Sequence, residues 1–119
     1  NICRKVGEKI ADVLVSHNRR YGVIISTDLS HYYPYKKAVQ MDGEFIASLK
    51  LFDEKKLEDT VKSGRGEACG EGAILAGIAA CKKLGATRLE VVKYANSGDT
   101  AGSKDEVVGY VSAVILGEE

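Results

Sequence analysis

Tyr21-Gly-Val-Ile-Ile-Ser-Thr27 is a short, nearly continuous apolar run rich in β-branched residues, and it leads straight into Asp28-Leu-Ser-His-Tyr32. A run of that length and composition suits a strand covered on both faces, the kind found between helical layers. Upstream, Ile2, Val6, Ile10, Val13 and Leu14 recur at helical spacing, so residues 2–16 read as an amphipathic helix. Asn18 is placed to cap its C-terminus, and His17 lies in the last turn, where the helix dipole favours a cation. That position suits His17 to a structural role.

Downstream of the run, residues 28–38 read as a loop holding the only proline, Pro34. Two short helices are expected between 39 and 63, the first carrying Phe45, Ile46 and Leu49, the second Leu57 and Val61. After the Ser63-Gly-Arg-Gly66 joint, residues 68–84 form a third helical stretch. Its small residues (Ala73, Ala76, Gly77, Ala79, Ala80) permit close packing against a sheet, and Gly85 ends it. Leu89–Tyr94 and Val107–Leu116 read as strands, joined by the turn-rich Ala95–Ser103 loop in a hairpin that antiparallel pairing would close. The order is that of an α/β protein. Three strands leave two sheet edges to cover, and the chain opens on Asn1. Both points predict that residues 1–119 form one unit belonging to a larger α/β domain.

Composition narrows the function classes. A chain of 119 residues builds one core. Its 17 basic and 17 acidic residues give zero formal charge, which excludes the basic face that nucleic-acid binding needs. The Lys36-Lys37, Lys55-Lys56 and Lys82-Lys83 doublets read as solvated surface. No apolar run approaches the ~20 residues of a membrane span, and no signal-peptide pattern is present. Cys3, Cys69 and Cys81 are odd in number and lack CxxC spacing. They fit a reducing cytoplasm and argue against a disulfide framework or a zinc finger.

Ligands in open α/β sheets bind beyond the carboxyl ends of the strands, and two loops here occupy such ends. In the first, Asp28 and His31 are three residues apart, so a turn brings their side chains to one side. A carboxylate beside an imidazole orients the ring and raises its basicity, which serves a general base or a metal ligand. The competing reading makes Asp28 a loop cap and His31 a satisfied polar residue. In the second loop, Asn96-Ser-Gly-Asp-Thr100 offers hydrogen-bonding groups and a carboxylate, or is simply a turn chosen for its Asn/Gly/Asp chemistry. Cys69 sits near a helix start, where the dipole lowers a thiol pKa, but Glu67 and Glu71 oppose that effect. The balance favours a packed, inert thiol, with Cys3 and Cys81 as core residues. Gly70 and Gly72 do not make a phosphate loop. A hydrolase built on Cys69 or Ser30 with His31 lacks both a GxSxG elbow and a cysteine-family signature.

Four strings in order, Ser26-Thr-Asp-Leu-Ser-His-Tyr32, Ala68-Cys-Gly-Glu-Gly-Ala-Ile74, Lys93-Tyr-Ala-Asn-Ser-Gly-Asp-Thr100 and Val107-Val-Gly-Tyr110, resemble the MEMO family, called AmmeMemoRadiSam system protein B in prokaryotes. The resemblance covers the whole chain and the second half of a family member. It implies a three-layer α/β/α sandwich similar to the class III (LigB-type) extradiol dioxygenases, with a metal-capable pocket at the strand ends. The family's Asp and His fall on Asp28 and His31, which become the candidate catalytic residues. Two further pocket histidines belong to the half of the family pattern that this chain does not match. Ser26, Cys69, Asn96, Ser97 and Thr100 become candidate ligand-binding residues. Thr100 stands where animal members carry a metal-binding cysteine, and Asp99 beside it offers a hard oxygen ligand instead, making His31 and Asp99 the candidate metal ligands. Ala73 replaces a proline common in the family at the helix start.

The resemblance therefore implies a metal-binding, dioxygenase-like protein using non-haem iron or another divalent metal when full length, with this portion alone inactive. Its ligand would be a small molecule or a peptide, and the family's prokaryotic name points to association with a radical SAM protein. The alternative is a non-enzymatic module that uses the same pocket for a peptide or small anion, since animal members are associated with phosphotyrosine-peptide recognition.

Overall fold

The computed structural model describes residues 1–17, 20–100 and 102–117. Helix α1 spans Ile2–Ser16, with the Asn1 side chain accepting from the Cys3 and Arg4 amides. Its expected cap, Asn18, lies outside the described residues. α1 buries Gly7 and Ala11 against the helix over Glu71–Lys83, whereas Ile2, Val6, Ile10 and Val13 stay exposed. The small residues, not the large apolar ones, thus form the packed stripe, because backbone proximity between two helices is set by the smallest side chains in the contact.

Strand β1 is short, His31–Tyr33, and Pro34 then caps α2, Tyr35–Lys50. α2 begins four residues earlier than periodicity alone predicts, since Pro34 has the φ of a helix entrance and no amide to leave unpaired. Its buried stripe is Ala38, Met41, Asp42, Phe45, Ser48 and Leu49, the spacing of one helical face. Asp53 caps α3, Glu54–Lys62, by accepting from the Lys55 and Lys56 amides. α4 covers Glu71–Lys83 and is buried almost all round from Ile74 to Ala80.

β2 (Ala86–Asn96) and β3 (Val107–Gly117) form an antiparallel hairpin from Ala86 opposite Gly117 to Asn96 opposite Gly109. β1 joins the other side of β3, giving the order β1-β3-β2. Phe45, Leu49, Ile74 and Ile78 cover one sheet face through Leu89, Val111 and Ile115. Val92, Tyr110 and Val114 on the other face are exposed. The result is the mixed α/β class expected from the sequence, with one helical layer on a three-stranded antiparallel sheet, as in an incomplete α/β domain.

Two expectations fail: residues 28–38 are not a loop throughout but hold β1 and the start of α2, and the strand expected before them does not form. Tyr21–Thr27 has no assigned strand, and Ile24 is 96% exposed. Among the described residues no strand lies beside it, so β-branched composition is left without a ladder to join. Ile25 packs onto α4 at Gly77, and an apolar cleft of about 770 Å³ opens between the segment and the sheet. No described helix is long and apolar enough to cross a membrane.

Candidate functional site

The chain leaves the unpaired segment and meets β3 at Gly109. Leu29 donates its amide to the Gly109 carbonyl at 2.8 Å, and the Gly109 amide donates to the Ser30 carbonyl at 3.0 Å. Two residues thus face one, the count of a β-bulge, which re-aims the side chains on either side of it. In a regular strand positions i and i+3 point to opposite faces; with the extra residue absorbed, Asp28 and His31 share a side. Their Oδ2 and Nε2 atoms are 3.8 Å apart. Tyr32 takes a left-handed φ of 63°, completing the turn toward α2.

The linker before α4 closes on this corner. Asp28 donates its amide to Cys69 Sγ at 3.3 Å, and the Cys69 amide donates to the Asp28 carbonyl at 3.2 Å. The Gly70 amide donates to Thr27 Oγ1 at 2.8 Å. A Cβ on Gly70 would lie 2.7 Å from the Ser26 carbonyl, so only glycine lets the helix start come this close. Cys69 is exposed, not packed as its flanking glutamates suggested. The two backbone-directed bonds hold its sulfur on the Asp28 side of the linker. One donor atom each from Asp28, His31 and Cys69 lies within 4.8 Å of the others, the grouping the described residues offer to a metal ion.

Glu67, two residues before Cys69, completes the corner. Its Oε1 accepts the His31 amide at 3.1 Å and lies 3.6 Å from His31 Nδ1, while Oε2 accepts the Tyr33 hydroxyl at 2.9 Å. That hydrogen bond to a carboxylate pushes the Tyr33 pKa up from its ordinary value.

A second polar cluster lies behind the first. Asp42 of α2 is fully buried and accepts from the Ser30 amide at 3.0 Å, the Ser30 hydroxyl at 3.1 Å and the Tyr94 hydroxyl. A Cβ on Gly109 would sit 2.0 Å from Asp42 Oδ2, so the glycine makes room for the carboxylate. Burial first, then the bond to Asp42, raises the Tyr94 pKa strongly. Asn96, 1% exposed, donates to Tyr94 Oη at 3.4 Å and accepts the Gly98 amide. Asp99 accepts the Asn96 amide at 2.9 Å through Oδ2 and the Tyr35 hydroxyl through Oδ1. Those bonds, the tyrosine first, hold its pKa below the usual carboxylate value. The Val108 amide donates to Ser97 Oγ, and Thr100 Oγ1 donates to the Ser97 carbonyl.

Comparison with known proteins finds relatives of the chain by its sequence. A family model described as Memo-like protein matches residues 1–114. The chain belongs to the Memo-like family. A MEMO1 family protein of Methanosarcina mazei is 39% identical over 111 residues, covering 93% of this chain and 42% of the relative. One from Methanopyrus kandleri is 40% identical, and one from Methanocaldococcus jannaschii 39%, each covering 93% of this chain and 39% of the relative. The Memo-like chain thus spans about two fifths of the length of these curated relatives.

Among the sequence-predicted residues of this Memo-like chain, the structure brings Asp28, His31 and Cys69 together, while Ser26 meets Gly70 only through its backbone carbonyl. Asn96, Ser97, Asp99 and Thr100 form a separate unit, a capped 3-10 turn whose polar atoms are largely spent on one another. Asp99 is not in the donor group with His31 among the described residues. Ser30, the alternative nucleophile with His31, is fully buried with its hydroxyl donated to Asp42. Two residues escaped the sequence reading. Asp42 was detectable, since it stands on the apolar stripe with Ala38, Phe45 and Leu49 where a surface charge would not. Glu67 left no signal beyond its nearness to Cys69.

Proposed function

We propose that Asp28, His31 and Cys69 hold a divalent metal ion, and that the full-length protein uses it in dioxygenase-like, non-haem iron chemistry. The observation that carries the reading is the convergence of one oxygen, one nitrogen and one sulfur donor from two separated stretches of chain. Three protein donors with solvent on the remaining side are what an open metal site requires. The donor set fits a borderline divalent ion such as Fe²⁺ or Zn²⁺, because imidazole and thiolate both favour that class over Ca²⁺ or Mg²⁺. A metal held there would supply Lewis acidity and, if redox-active, an electron-transfer centre. The chain's own contribution is positional. The bulge at Gly109 turns Asp28 and His31 to one side, and the Asp28–Cys69 backbone bonds keep the thiol beside them.

The test is titration of the full-length protein with Zn²⁺, and with Fe²⁺ under anaerobic conditions, beside His31→Ala and Cys69→Ala. Each substitution should weaken binding at least ~10-fold, since it removes a direct ligand. Binding unchanged in either variant would overturn the assignment. Oxygen uptake by the iron-loaded protein, lost in His31→Ala, tests the dioxygenase-like chemistry separately.

A further inference from the structure

We infer that Glu67, not Asp28, is the residue that positions the His31 ring, holding the proton on Nδ1 and leaving the Nε2 lone pair for the Asp28–Cys69 side. This rests on the metal-site reading above for its purpose, but its geometry stands independently. His31 lies between two carboxylates, each facing a different ring nitrogen. Glu67 Oε1 is 3.6 Å from Nδ1, and Asp28 Oδ2 is 3.8 Å from Nε2. A neutral imidazole carries one proton, so only one of the two can be its acceptor.

The two carboxylates differ in how firmly they are held. Glu67 is anchored at both oxygens, by the His31 amide at 3.1 Å and the Tyr33 hydroxyl at 2.9 Å. Because the amide it accepts belongs to His31 itself, Glu67 registers the ring against its own backbone. The Asp28 carboxylate accepts no hydrogen bond among the described residues; its backbone, not its side chain, ties to Cys69. An anchored acceptor loses less freedom on gaining one more bond than a loose one does. A shift of a few tenths of an ångström brings Nδ1 within hydrogen-bond reach of Oε1. The proton on Nδ1 then frees Nε2, the nitrogen that faces Asp28. A carboxylate behind a histidine whose other nitrogen binds metal is the usual way such a ring is aimed. One short linker would therefore deliver both a donor, Cys69, and the orienting group for a second donor, Glu67.

The experiment is the ring-nitrogen NMR spectrum of His31 in the metal-free full-length protein, recorded above the ordinary imidazole titration range, for wild type, Glu67→Gln and Glu67→Ala. The wild type should show the Nδ1–H tautomer. Glu67→Gln should keep it, since an amide oxygen still accepts, and Glu67→Ala should move the ring toward Nε2–H. In parallel, Zn²⁺ affinity should fall about 10- to 100-fold in Glu67→Ala and only a few-fold in Glu67→Gln. A wild-type ring in the Nε2–H form overturns the proposal without any variant, so failure of Glu67→Ala to fold leaves it testable. Loss of Zn²⁺ in Glu67→Gln as severe as in Glu67→Ala, with the tautomer kept, would make Glu67 a direct ligand and also overturn it. Unchanged Zn²⁺ binding in His31→Ala overturns the metal site instead, while the metal-free spectrum still decides the role of Glu67.

Discussion

Two polar clusters lie on either side of the bulge at Gly109, and they are built on opposite principles. Around Asp42 the carboxylate is fully buried and accepts three hydrogen bonds from Ser30 and Tyr94. Around His31 the Asp28 carboxylate is half-exposed and accepts no hydrogen bond among the described residues, and the exposed Cys69 sulfur makes only weak contacts with the Asp28 amide and the Thr27 hydroxyl. Adjacent residues split between the two, since Ser30 points into the closed cluster and His31 into the open one. A satisfied buried network rigidifies a corner, whereas ligand atoms left accessible on one side are what a metal needs. The closed cluster therefore braces the corner on which the open, ligand-capable group stands. Ser30 and Gly109 transmit rigidity from one to the other.

The sharpest way to break that comparison is Asp42→Ala. It leaves the Ser30 amide, the Ser30 hydroxyl and the Tyr94 hydroxyl without an acceptor, so it should cost about 3–4 kcal/mol in a urea titration of the intact protein. His31→Ala should cost less than about 1 kcal/mol in the same titration, because its ring is part-exposed and its loss orphans no buried group. Equal costs for the two would erase the distinction. Gly109→Ala comes next. The added methyl would overlap the Asp42 carboxylate, and about 2–3 kcal/mol of overpacking is expected, with Zn²⁺ binding weakened because the bulge must shift.

The smallest effect sharpens the rule that burial without satisfaction costs stability. Glu71 Oε2 is buried with no hydrogen-bond partner among the described residues, and burial, then Glu58, raises its pKa above the ordinary carboxylate value. A raised carboxyl pKa means the folded state prefers the protonated form. Its ionised form therefore costs stability above the titration range, and the cost disappears as pH falls below it. Glu71→Gln should accordingly raise the Tm by about 1–3 °C near pH 7. The difference should close below roughly pH 4. A gap that persists in acid would trace the effect to packing and not to charge.

Much of the molecule was legible in its residues. Helical periodicity located α1, α3 and α4, Gly85 marked a helix end at φ 102°, and the two late β-branched runs became the β2–β3 hairpin. These are local effects, set by side-chain period and backbone freedom within a few residues. The ordered strings around Asp28, Cys69 and Thr100 identified the family, which the match over residues 1–114 bears out. Pairing was less legible. Tyr21–Thr27 has a strand's composition without a strand's partner among the described residues, because a ladder is a property of two segments and the sequence of one cannot supply the other. The stripe of α1 that packs was also hidden, since Gly7 and Ala11 win the contact with α4 over larger residues by closeness.

The sequence by itself determined that the chain is Memo-like, and it singled out Asp28 and His31 as candidate site residues. Only the tertiary structure decided their company. It brought Cys69 and Glu67 to the pair across a separation of 36 or more residues. It also spent Asp99 on Tyr35 and Asn96, and sank Ser30 against Asp42. Motifs record which chemical groups the chain carries. Which of those groups meet depends on the bulge at Gly109 and the glycine-tight approach of the α4 start, contacts that exist only once distant segments pack.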